Sequence, residues 1–330
     1  MQEKGIMAER LSLTSLEGSK VLERMPKRRR APELLSQKRL TDRGFAIIET
    51  IARYRFIGTN DLIRLTGGNE DVTHRHLQQL YHRNLISRLT LGRNGNNAEF
   101  IYFLDNGAGL RELCVRSGFP ESKFDWSQIK TNRDKYSEEK TPGGIDSEGK
   151  LLFVRHELMI SQFHAGVELA CKASGGKVEL ARWMQGTELH STVRLSPSRE
   201  LPHRPDAFLS LRFPNSPEGQ QRSNFLYEAG RNTSSIPRLR EKFEAHLHYL
   251  LQGKHTLNLD IKKIRAVLVE TITDERARQL RNLAAELAEK FPLASLLFWF
   301  ASTERKDRDT NSFPPLWFCA GDERMRSLLD

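Results

Sequence analysis

The sequence has little cysteine, and the three that it contains show no paired spacing. Cys114, Cys171 and Cys319 lie far apart in the chain. This distribution excludes a zinc cluster of closely spaced thiols and a disulfide framework, and it fits a reducing compartment. We therefore expect the cysteines to be packing residues of a cytoplasmic protein.

Long apolar runs are also lacking. No stretch approaches the roughly 20 apolar residues that a helix needs to span a bilayer. The N-terminal segment contains Glu3, Glu9 and Glu17 and lacks the apolar stretch of a signal peptide. These absences predict a soluble intracellular protein with no membrane partner.

Acidic residues are outnumbered by basic ones. The chain contains 52 Lys and Arg against 42 Asp and Glu, which gives a formal charge of +10 and a pI near 9.6. This balance favours a polyanionic partner. Residues 1–40 contain the cluster Lys27-Arg28-Arg29-Arg30 and little periodicity, which indicates either a basic mobile arm that contacts phosphates or a solvated tail.

Residues 41–118 have the pattern of a DNA-binding module. Thr41 and Asp42 can cap a first helix, in which apolar residues recur at spacings of three and four over residues 45–52. Thr59-Asn60-Asp61 can cap a short second helix, and Gly67-Gly68 breaks it where a helix-turn-helix has its turn. The pattern predicts an N-terminal winged helix-turn-helix.

A third helix over residues 70–83 and a hairpin complete this module. Residues 88–91 and 99–104 are predicted strands around a polar turn at residues 92–97, which would form the wing. In such a fold the third helix enters the major groove and the wing touches the backbone or the minor groove. The outward side chains of the helix and the wing are the candidate DNA contacts: Thr73, His74, Arg75, Gln78, Arg83, Arg88, Arg93 and Asn94.

These residues also have a simpler interpretation. Arg75, Gln78 and Arg83 could be ordinary exposed residues of a surface helix, and residues 92–97 could be only a polar turn. The winged-helix pattern around them favours DNA contact.

The rest of the chain predicts a second, mixed α/β domain. Residues 119–150 lose hydrophobic periodicity and are expected to be a linker. From residue 151 to residue 330, helical and strand patterns alternate. Helices are predicted at 151–172, 238–251 and 274–290, and strands at 178–183, 207–213, 223–228, 264–270, 294–301 and 316–319. The fold class is therefore α+β with two domains.

Two acidic residues lie at matching ends of two predicted strands. Asp206 begins one strand and Glu228 ends the next, and in an antiparallel pair these two ends are neighbours. Paired carboxylates supply the hard oxygen ligands that Mg²⁺ or Mn²⁺ needs for phosphodiester cleavage. Each acid alone could be an ordinary strand-end residue, and the pairing is what favours a metal site.

Several segments together resemble a known family. They are Asp42-Arg43-Gly44, Arg155-His156-Glu157-Leu158, Arg204-Pro205-Asp206-Ala207, Phe225-Leu226-Tyr227-Glu228 and residues 242–249. The chain is similar over residues 41–300 to the plasmid replication-relaxation family. This resemblance implies a winged helix followed by a restriction-endonuclease-like, PD-(D/E)XK, domain, with related mobilisation relaxases that nick an origin.

The same resemblance implies roles for individual residues. Asp206 and Glu228 would be the metal-binding acids, His156 a helix histidine near them, and Lys242 the helix lysine of the site. Tyr249 looks like a family tyrosine on that helix. By their sequence context alone, His156 and Tyr249 are better explained as core residues and Lys242 as part of a solvated helix face.

The chain departs from the endonuclease motif at one position. The motif expects Lys two residues after the Glu, and this chain has Gly230 there. Glycine neither binds a metal nor activates water, which leaves Lys242 as the candidate for charge stabilisation.

Two main hypotheses of function follow. The first is a protein of plasmid or mobile-element replication and mobilisation, in a bacterial cytoplasm, that binds double-stranded origin DNA and nicks or relaxes it with Mg²⁺ or Mn²⁺. The second is a non-catalytic replication or transcription regulator with a degenerate nuclease fold, which could act as a homodimer. A partner-binding scaffold is a third option.

Overall fold

The computed structural model describes residue 30 and residues 39–91, 99–118, 126–137, 148–230, 234–305 and 313–329. Most of the predicted arm and the wing-tip residues Arg93 and Asn94 lie outside these described residues.

The N-terminal part combines helices with a small antiparallel sheet. Its elements are α1 (Asp42–Tyr54), β1 (Phe56–Gly58), α2 (Thr59–Thr66), α3 (Glu70–His82), β2 (Ser87–Leu89), β3 (Ile101–Phe103) and α4 (Ala108–Ser117). The strand order is β1-β3-β2. All three helices predicted in the module and its two predicted strands are present, and β1 is an additional strand between α1 and α2.

Local residues explain where these helices begin and end. Thr41 caps α1, since its Oγ1 accepts a hydrogen bond of 3.2 Å from the amide of Gly44. Asn69 caps α3 in the same way through the amide of Val72, at 3.0 Å. Gly67 ends α2 with a φ of 64°, a left-handed conformation that glycine adopts without strain.

The predicted linker contains ordered structure, which corrects the expectation from its composition. Residues 126–136 form α5 (Trp126–Tyr136), and α6 (Glu148–Ala173) begins before the end of the predicted linker. Asn132 of α5 is buried and donates a hydrogen bond of 2.8 Å to the carbonyl of Leu104. This helix is anchored on the N-terminal part, and the remaining residues of the segment, 119–125 and 138–147, lie outside the described ones.

The C-terminal part is built on a seven-stranded mixed sheet in the order β12-β11-β10-β9-β8-β7-β4. The strands are β4 (Glu179–Gln185), β5 (Ser191–Ser196), β6 (Arg199–His203), β7 (Ala207–Arg212), β8 (Arg222–Gly230), β9 (Ala266–Thr271), β10 (Phe298–Ser302), β11 (Trp317–Cys319) and β12 (Asp322–Arg326). The helices are α7 (Ile236–Leu251), α8 (Lys254–Leu259), α9 (Asp274–Lys290) and α10 (Ala294–Leu297). Strand β8 is antiparallel to β7 and parallel to β9, and β5 and β6 form a separate hairpin.

Helices cover both faces of this sheet. Alternate residues of one strand belong to different cores: Phe208 packs with α7 and α9, whereas Leu209 packs with α6. The central strands are therefore buried on both sides, as their nearly continuous apolar sequences indicate. The fold is α+β, with a large mixed sheet as the α/β core.

The sequence-based strand at residues 294–301 is only partly correct. Residues 294–297 form the short helix α10, and the strand β10 begins at Phe298. A short apolar run does not distinguish a buried turn of helix from a buried strand. The hairpin β5–β6 and the elements α8 and β12 were not predicted.

Helix α6 belongs to both parts of the protein. Val154 and Leu158 pack in a core with Phe56 of β1, and Ala165 packs with α1, whereas Phe163 packs under the large sheet. The two parts therefore share one helix as a common element of their cores.

Two further expectations concern membranes and cysteines. Among the described helices, none combines the length and apolarity that crossing a bilayer requires. Cys171 and Cys319 are buried and Cys114 is half-buried, all three as free thiols.

Candidate functional site

Asp206 and Glu228 converge at one end of the β7–β8 hairpin. Residue 207 pairs with residue 227 in the antiparallel register, and the amide of Asp206 extends this pairing with a hydrogen bond of 3.1 Å to the Tyr227 carbonyl. From α7, Lys242 brings its ammonium into contact with Oε2 of Glu228 and to 3.9 Å from Oδ2 of Asp206. The three predicted site residues therefore form one cluster.

Asp206 is held as a carboxylate. Its Oδ2 accepts a hydrogen bond of 2.8 Å from the amide of Ala229 and lies 3.3 Å from Nε2 of His156. Burial raises the pKa of Asp206, but Lys242, His156 and the Ala229 amide outweigh burial and bring the pKa well below its usual range.

His156 reaches this site from α6 and connects it to Glu157. Its Nδ1 lies 3.8 Å from Oε1 of Glu157, on the side of the ring opposite Asp206. Burial lowers the pKa of His156, but the hydrogen bonds to Asp206 and Glu157 are stronger and raise the pKa to about 9. A protonated His156 thus adds positive charge beside Asp206 at neutral pH.

Glu228 occupies the most buried position of the cluster. Its side chain is 4% exposed, against 35% for Lys242 and 15% for Asp206. Burial and the nearby Asp206 raise the pKa of Glu228 well above its usual value, with Lys242 opposing them. Burial lowers the pKa of Lys242, but the two carboxyl groups outweigh it and raise the pKa above the usual value. The cluster is thus closed at Glu228 and open to solvent at Lys242.

Gly230 lies close to the neighbouring strand, so a larger residue there would require a small shift of β9. A Cβ atom built there would lie 3.1 Å from the carbonyl oxygen of Glu270 on β9. The close approach of the strands disfavours a lysine at this position. The positive charge comes from Lys242 on the helix instead.

Three residues that the sequence did not point to extend this cluster inward. His246 Nε2 lies 2.6 Å from Oε1 of Glu228, His203 Nε2 lies 3.0 Å from Nδ1 of His246, and Ser191 Oγ lies 3.3 Å from Nδ1 of His203. His246 stands four residues after Lys242, so the two share a face of α7. That spacing could have identified His246, whereas His203 and Ser191 lie on the unpredicted hairpin.

Tyr249 is a packed aromatic residue. It is 2% exposed, and its ring stacks on His203 with the centroids 3.9 Å apart. The structure therefore places Tyr249 away from solvent, behind the histidines.

Exposed basic residues lie near the cluster. Arg204 stands two residues before Asp206, and Arg238 stands one helical turn before Lys242 on α7. Both are exposed, as is His190, which is close enough to Arg204 and Asp206 to feel their charges. The positive charge of these arginines can attract a phosphate backbone.

The donor set is compatible with a hard divalent cation. Among the described residues, no group of three or more His, Cys, Asp or Glu side chains is arranged to hold a metal ion. Mg²⁺, however, commonly uses one or two carboxylates and fills its remaining positions with water and substrate phosphate. Asp206 and Glu228 could supply those carboxylates.

Comparison with known proteins identifies the family. A model of the replication-relaxation family matches residues 48–260, more than half of the chain. This chain belongs to the replication-relaxation family. The family indicates a role in the replication or mobilisation of a plasmid or mobile element. No curated protein and no solved structure matches the chain.

In this replication-relaxation protein, the predicted DNA contacts of α3 differ in exposure. His74 and Arg75 are exposed, and Gln78 and Arg83 are half-buried. Thr73 is fully buried, so the expectation that it faces outward is wrong. Its Oγ1 accepts a hydrogen bond of 2.7 Å from Arg43 and donates one of 3.1 Å to the Asn69 carbonyl. Thr73 therefore connects α3 to α1 through its hydrogen bond with Arg43.

Arg88 on β2 also contacts other side chains of the protein. Its guanidinium group lies 3.9 Å from the ring centroid of Tyr81 and 4.3 Å from that of Phe100. Beside it, Arg30 lies over the Tyr81 ring at 4.5 Å and donates a hydrogen bond of 2.7 Å to Ser87 Oγ. These contacts bring the last residue of the basic cluster 27–30 next to α3.

Proposed function

We propose that this replication-relaxation protein binds double-stranded DNA at an origin and cuts one strand with the cluster of Asp206, Glu228 and Lys242. The observation that carries this proposal is the contact of Lys242 with Glu228, 3.9 Å from Asp206, at one end of a hairpin. The hairpin is followed by α7 and by the parallel strand β9. This order is similar to that expected of a PD-(D/E)XK nuclease with the lysine moved to the helix.

Asp206 and Glu228 are the residues that would hold Mg²⁺ or Mn²⁺. A divalent ion held there would supply Lewis-acid stabilisation of the phosphate and of an attacking water. The carboxylate oxygens are of the type that such ions prefer, and the site opens to solvent on the Lys242 side.

The chain's own residues have separate tasks in this proposal. The Ala229 amide and His156 fix one oxygen of Asp206, so that the carboxylate keeps its orientation. Lys242 is cationic and partly exposed, and it can stabilise the negative charge that develops on a phosphodiester. Arg204 and Arg238 are exposed and would bind the adjoining phosphates.

The N-terminal part supplies recognition. Its α2–α3 pair and the antiparallel β2–β3 strands have the order of a winged helix, with His74 and Arg75 exposed on α3. Arg93 and Asn94, although outside the described residues, would belong to the wing between β2 and β3. We assign α3 to the major groove and the basic cluster 27–30 to the flanking backbone.

A second candidate function is a non-catalytic DNA-binding regulator. The observation that favours it is Lys242 itself, because its ammonium already lies against the two acids that a metal would need. Gly230 points in the same direction, since it leaves the motif without its usual lysine. In this case the cluster would be a structural ion pair.

The two functions are separated by nicking and metal titration. Supercoiled plasmid carrying the cognate origin is incubated with the full chain and Mn²⁺ or Mg²⁺, and open-circular product is measured. We expect nicking by the wild type and its loss in Asp206→Asn. Asp260→Asn is the matched control, because Asp260 is exposed and outside the site, and its left-handed backbone also suits asparagine.

Calorimetric titration of the same proteins with Mn²⁺ completes the test. Binding that is weakened in Asp206→Asn supports the nuclease. If the wild type neither nicks nor binds the ion, the enzyme proposal is rejected and the regulator is retained.

A further inference from the structure

Behind the acidic cluster, a chain of hydrogen bonds runs from Glu228 to the surface hairpin β5–β6. It passes from Glu228 Oε1 to His246 at 2.6 Å, from His246 to His203 at 3.0 Å, and from His203 to Ser191 at 3.3 Å. Both histidines are 1% exposed, so the described structure gives their rings no open access to water. The chain uses a different oxygen of Glu228 from the one that contacts Lys242.

Packing fixes the two imidazole rings. His203 stacks on Tyr249 with an interplanar angle of 10°, and it meets the His246 ring nearly perpendicularly, at 88°. Phe298 packs against His246 from the sheet side, with the centroids 6.2 Å apart. Rings held in this way have little freedom to turn, so their hydrogen-bond directions are set by the fold.

The donor and acceptor rules then leave two ordered states. A neutral imidazole has one N–H donor and one acceptor nitrogen. With Glu228 ionised, Ser191 donates to His203 Nδ1, His203 Nε2–H donates to His246 Nδ1, and His246 Nε2–H donates to Glu228. With Glu228 protonated, every bond of the chain reverses. In both states the two histidines carry their proton on the same type of nitrogen.

We propose that His246, His203 and Ser191 are positioning residues that hold the Glu228 carboxylate so that Oε2 faces Lys242 and Asp206. The proposal rests on the proposed function in so far as Glu228 is a ligand of the catalytic ion. Residues that orient a metal-binding group from behind commonly change metal affinity or activity by 10- to 100-fold when they are removed. Such a role explains why buried histidines stand in series behind a carboxylate.

The first test reads the tautomers and needs neither metal nor activity. Long-range ¹H–¹⁵N spectra of the full chain assign the protonated nitrogen of each ring, with His203→Phe, His203→Gln and Ser191→Ala as variants. Phenylalanine retains the stack on Tyr249 and interrupts the series of hydrogen bonds. The glutamine amide, in contrast, can both donate to His246 and accept from Ser191. The control is His248→Phe, because His248 lies on α7, as His246 does, but takes no part in this series of hydrogen bonds.

We expect matching tautomers at His203 and His246 in the wild type and in His248→Phe, and a single tautomer at His246 in His203→Gln. In His203→Phe the His246 ring should populate both tautomers, and in Ser191→Ala the order at His203 should weaken. Ser191→Ala keeps the test valid if His203→Phe does not fold. Different tautomers at the two rings in the wild type would overturn the proposal.

The second test measures Mn²⁺ affinity by calorimetry. We expect His203→Phe to bind Mn²⁺ about 10- to 100-fold more weakly than His248→Phe. Equal affinity in the two variants, with Mn²⁺ binding in the wild type, would also overturn the positioning role. If the wild type binds no Mn²⁺, the nuclease proposal fails, and the tautomer spectra still decide whether the chain orders Glu228.

Discussion

The hydroxyl of Tyr54 donates a hydrogen bond of 2.7 Å to Oε2 of Glu168. This contact joins the last residue of α1 to the second half of α6, and therefore the N-terminal part to the helix under the large sheet. Close by, Ser161 of α6 donates to the Tyr54 carbonyl at 2.8 Å, and Lys172 donates to the Leu65 carbonyl at 3.2 Å. Several polar contacts thus support the junction in addition to its apolar packing.

Tyr54→Phe should destabilise the protein modestly. The variant keeps the ring but removes the donor to Glu168, and the loss of one such bond to a charged group costs about 1 to 3 kcal/mol. Because Arg53 and Lys172 also lie against Glu168, we expect the lower end of this range. Denaturant unfolding measures the change.

The control for Tyr54→Phe is Glu49→Gln, also on α1. Glu49 pairs with Arg53 at 3.6 Å, but both side chains are about half exposed or more. Surface pairs of this kind contribute little. A loss of stability in Glu49→Gln as large as in Tyr54→Phe would argue against a specific role of the Tyr54–Glu168 contact.

His164→Phe should reduce the acid sensitivity of folding. His164 lies between the rings of Tyr54 and Trp183, 4.4 Å and 3.9 Å away, and burial lowers its pKa to about 3. Below about pH 6.5 the unfolded chain binds a proton here that the folded protein excludes. Stability is therefore lost as the pH falls from about 6.5 towards 3, and the phenylalanine variant should lose less of it.

Unfolding free energies measured at about pH 7 and at about pH 4 provide the comparison. Trp183→Phe changes the same aromatic stack and removes no titrating group. It should shift the stability at every pH and leave the slope unchanged. If His164→Phe has the wild-type slope, His164 is not a source of the acid sensitivity.

Lys242→Met should weaken the fold in the absence of divalent ions. The variant leaves Asp206 and the buried Glu228 without the ammonium between them. Breaking a buried ion pair costs several kcal/mol, but Lys242 is partly exposed, so we expect about 1 to 3 kcal/mol. Thermal unfolding in a chelating buffer measures this loss.

Added Mn²⁺ or Mg²⁺ should restore part of the stability of Lys242→Met, because a cation can then take the place of the ammonium. Arg240→Met is the matched control, since Arg240 lies on the same helix and pairs with Glu286 at the surface. Stability of Lys242→Met that equals that of the control in chelator would contradict the central role of Lys242.

Arg75→Ala and Thr73→Ala should affect the protein in different ways. Arg75 is exposed on α3, and its loss should weaken binding to a specific site by about 1 to 3 kcal/mol without changing stability if it reads a base. Thr73 is buried against Arg43, so its loss should lower stability and leave sequence preference unchanged. Fluorescence anisotropy with cognate and scrambled duplexes, together with unfolding curves, separates the two effects.

A stable Thr73→Ala variant with altered sequence preference would show that Thr73 contributes to recognition. Unchanged binding in Arg75→Ala would remove this residue from the interface.

The features that were predicted correctly are those with a local cause. Thr41 caps α1 through an amide three residues away, and Asp274–Lys290 is a helix over the predicted bounds. The convergence of Asp206 and Glu228 was also predictable, because an antiparallel hairpin brings these two strand ends together.

The missed features depend on contacts between distant segments. Strand β1 has three residues and exists because Phe56 pairs with Phe103, and His203 meets His246 only because the β5–β6 hairpin folds over α7. No periodicity in the sequence reports such pairings. Thr73 was placed on the wrong face for the same reason, since its partner Arg43 lies 30 residues away.

Because α6 packs in the cores of both parts, one shared helix connects the part that contains α3, the proposed reading helix, with the acid cluster. In the proposed function, the protein would then set the spacing between the recognised sequence and the cut. A nick made by Asp206 and Glu228 would then fall at one fixed number of base pairs from the recognised sequence, and base pairs inserted between the two would leave this spacing unchanged and place the cut in a different sequence.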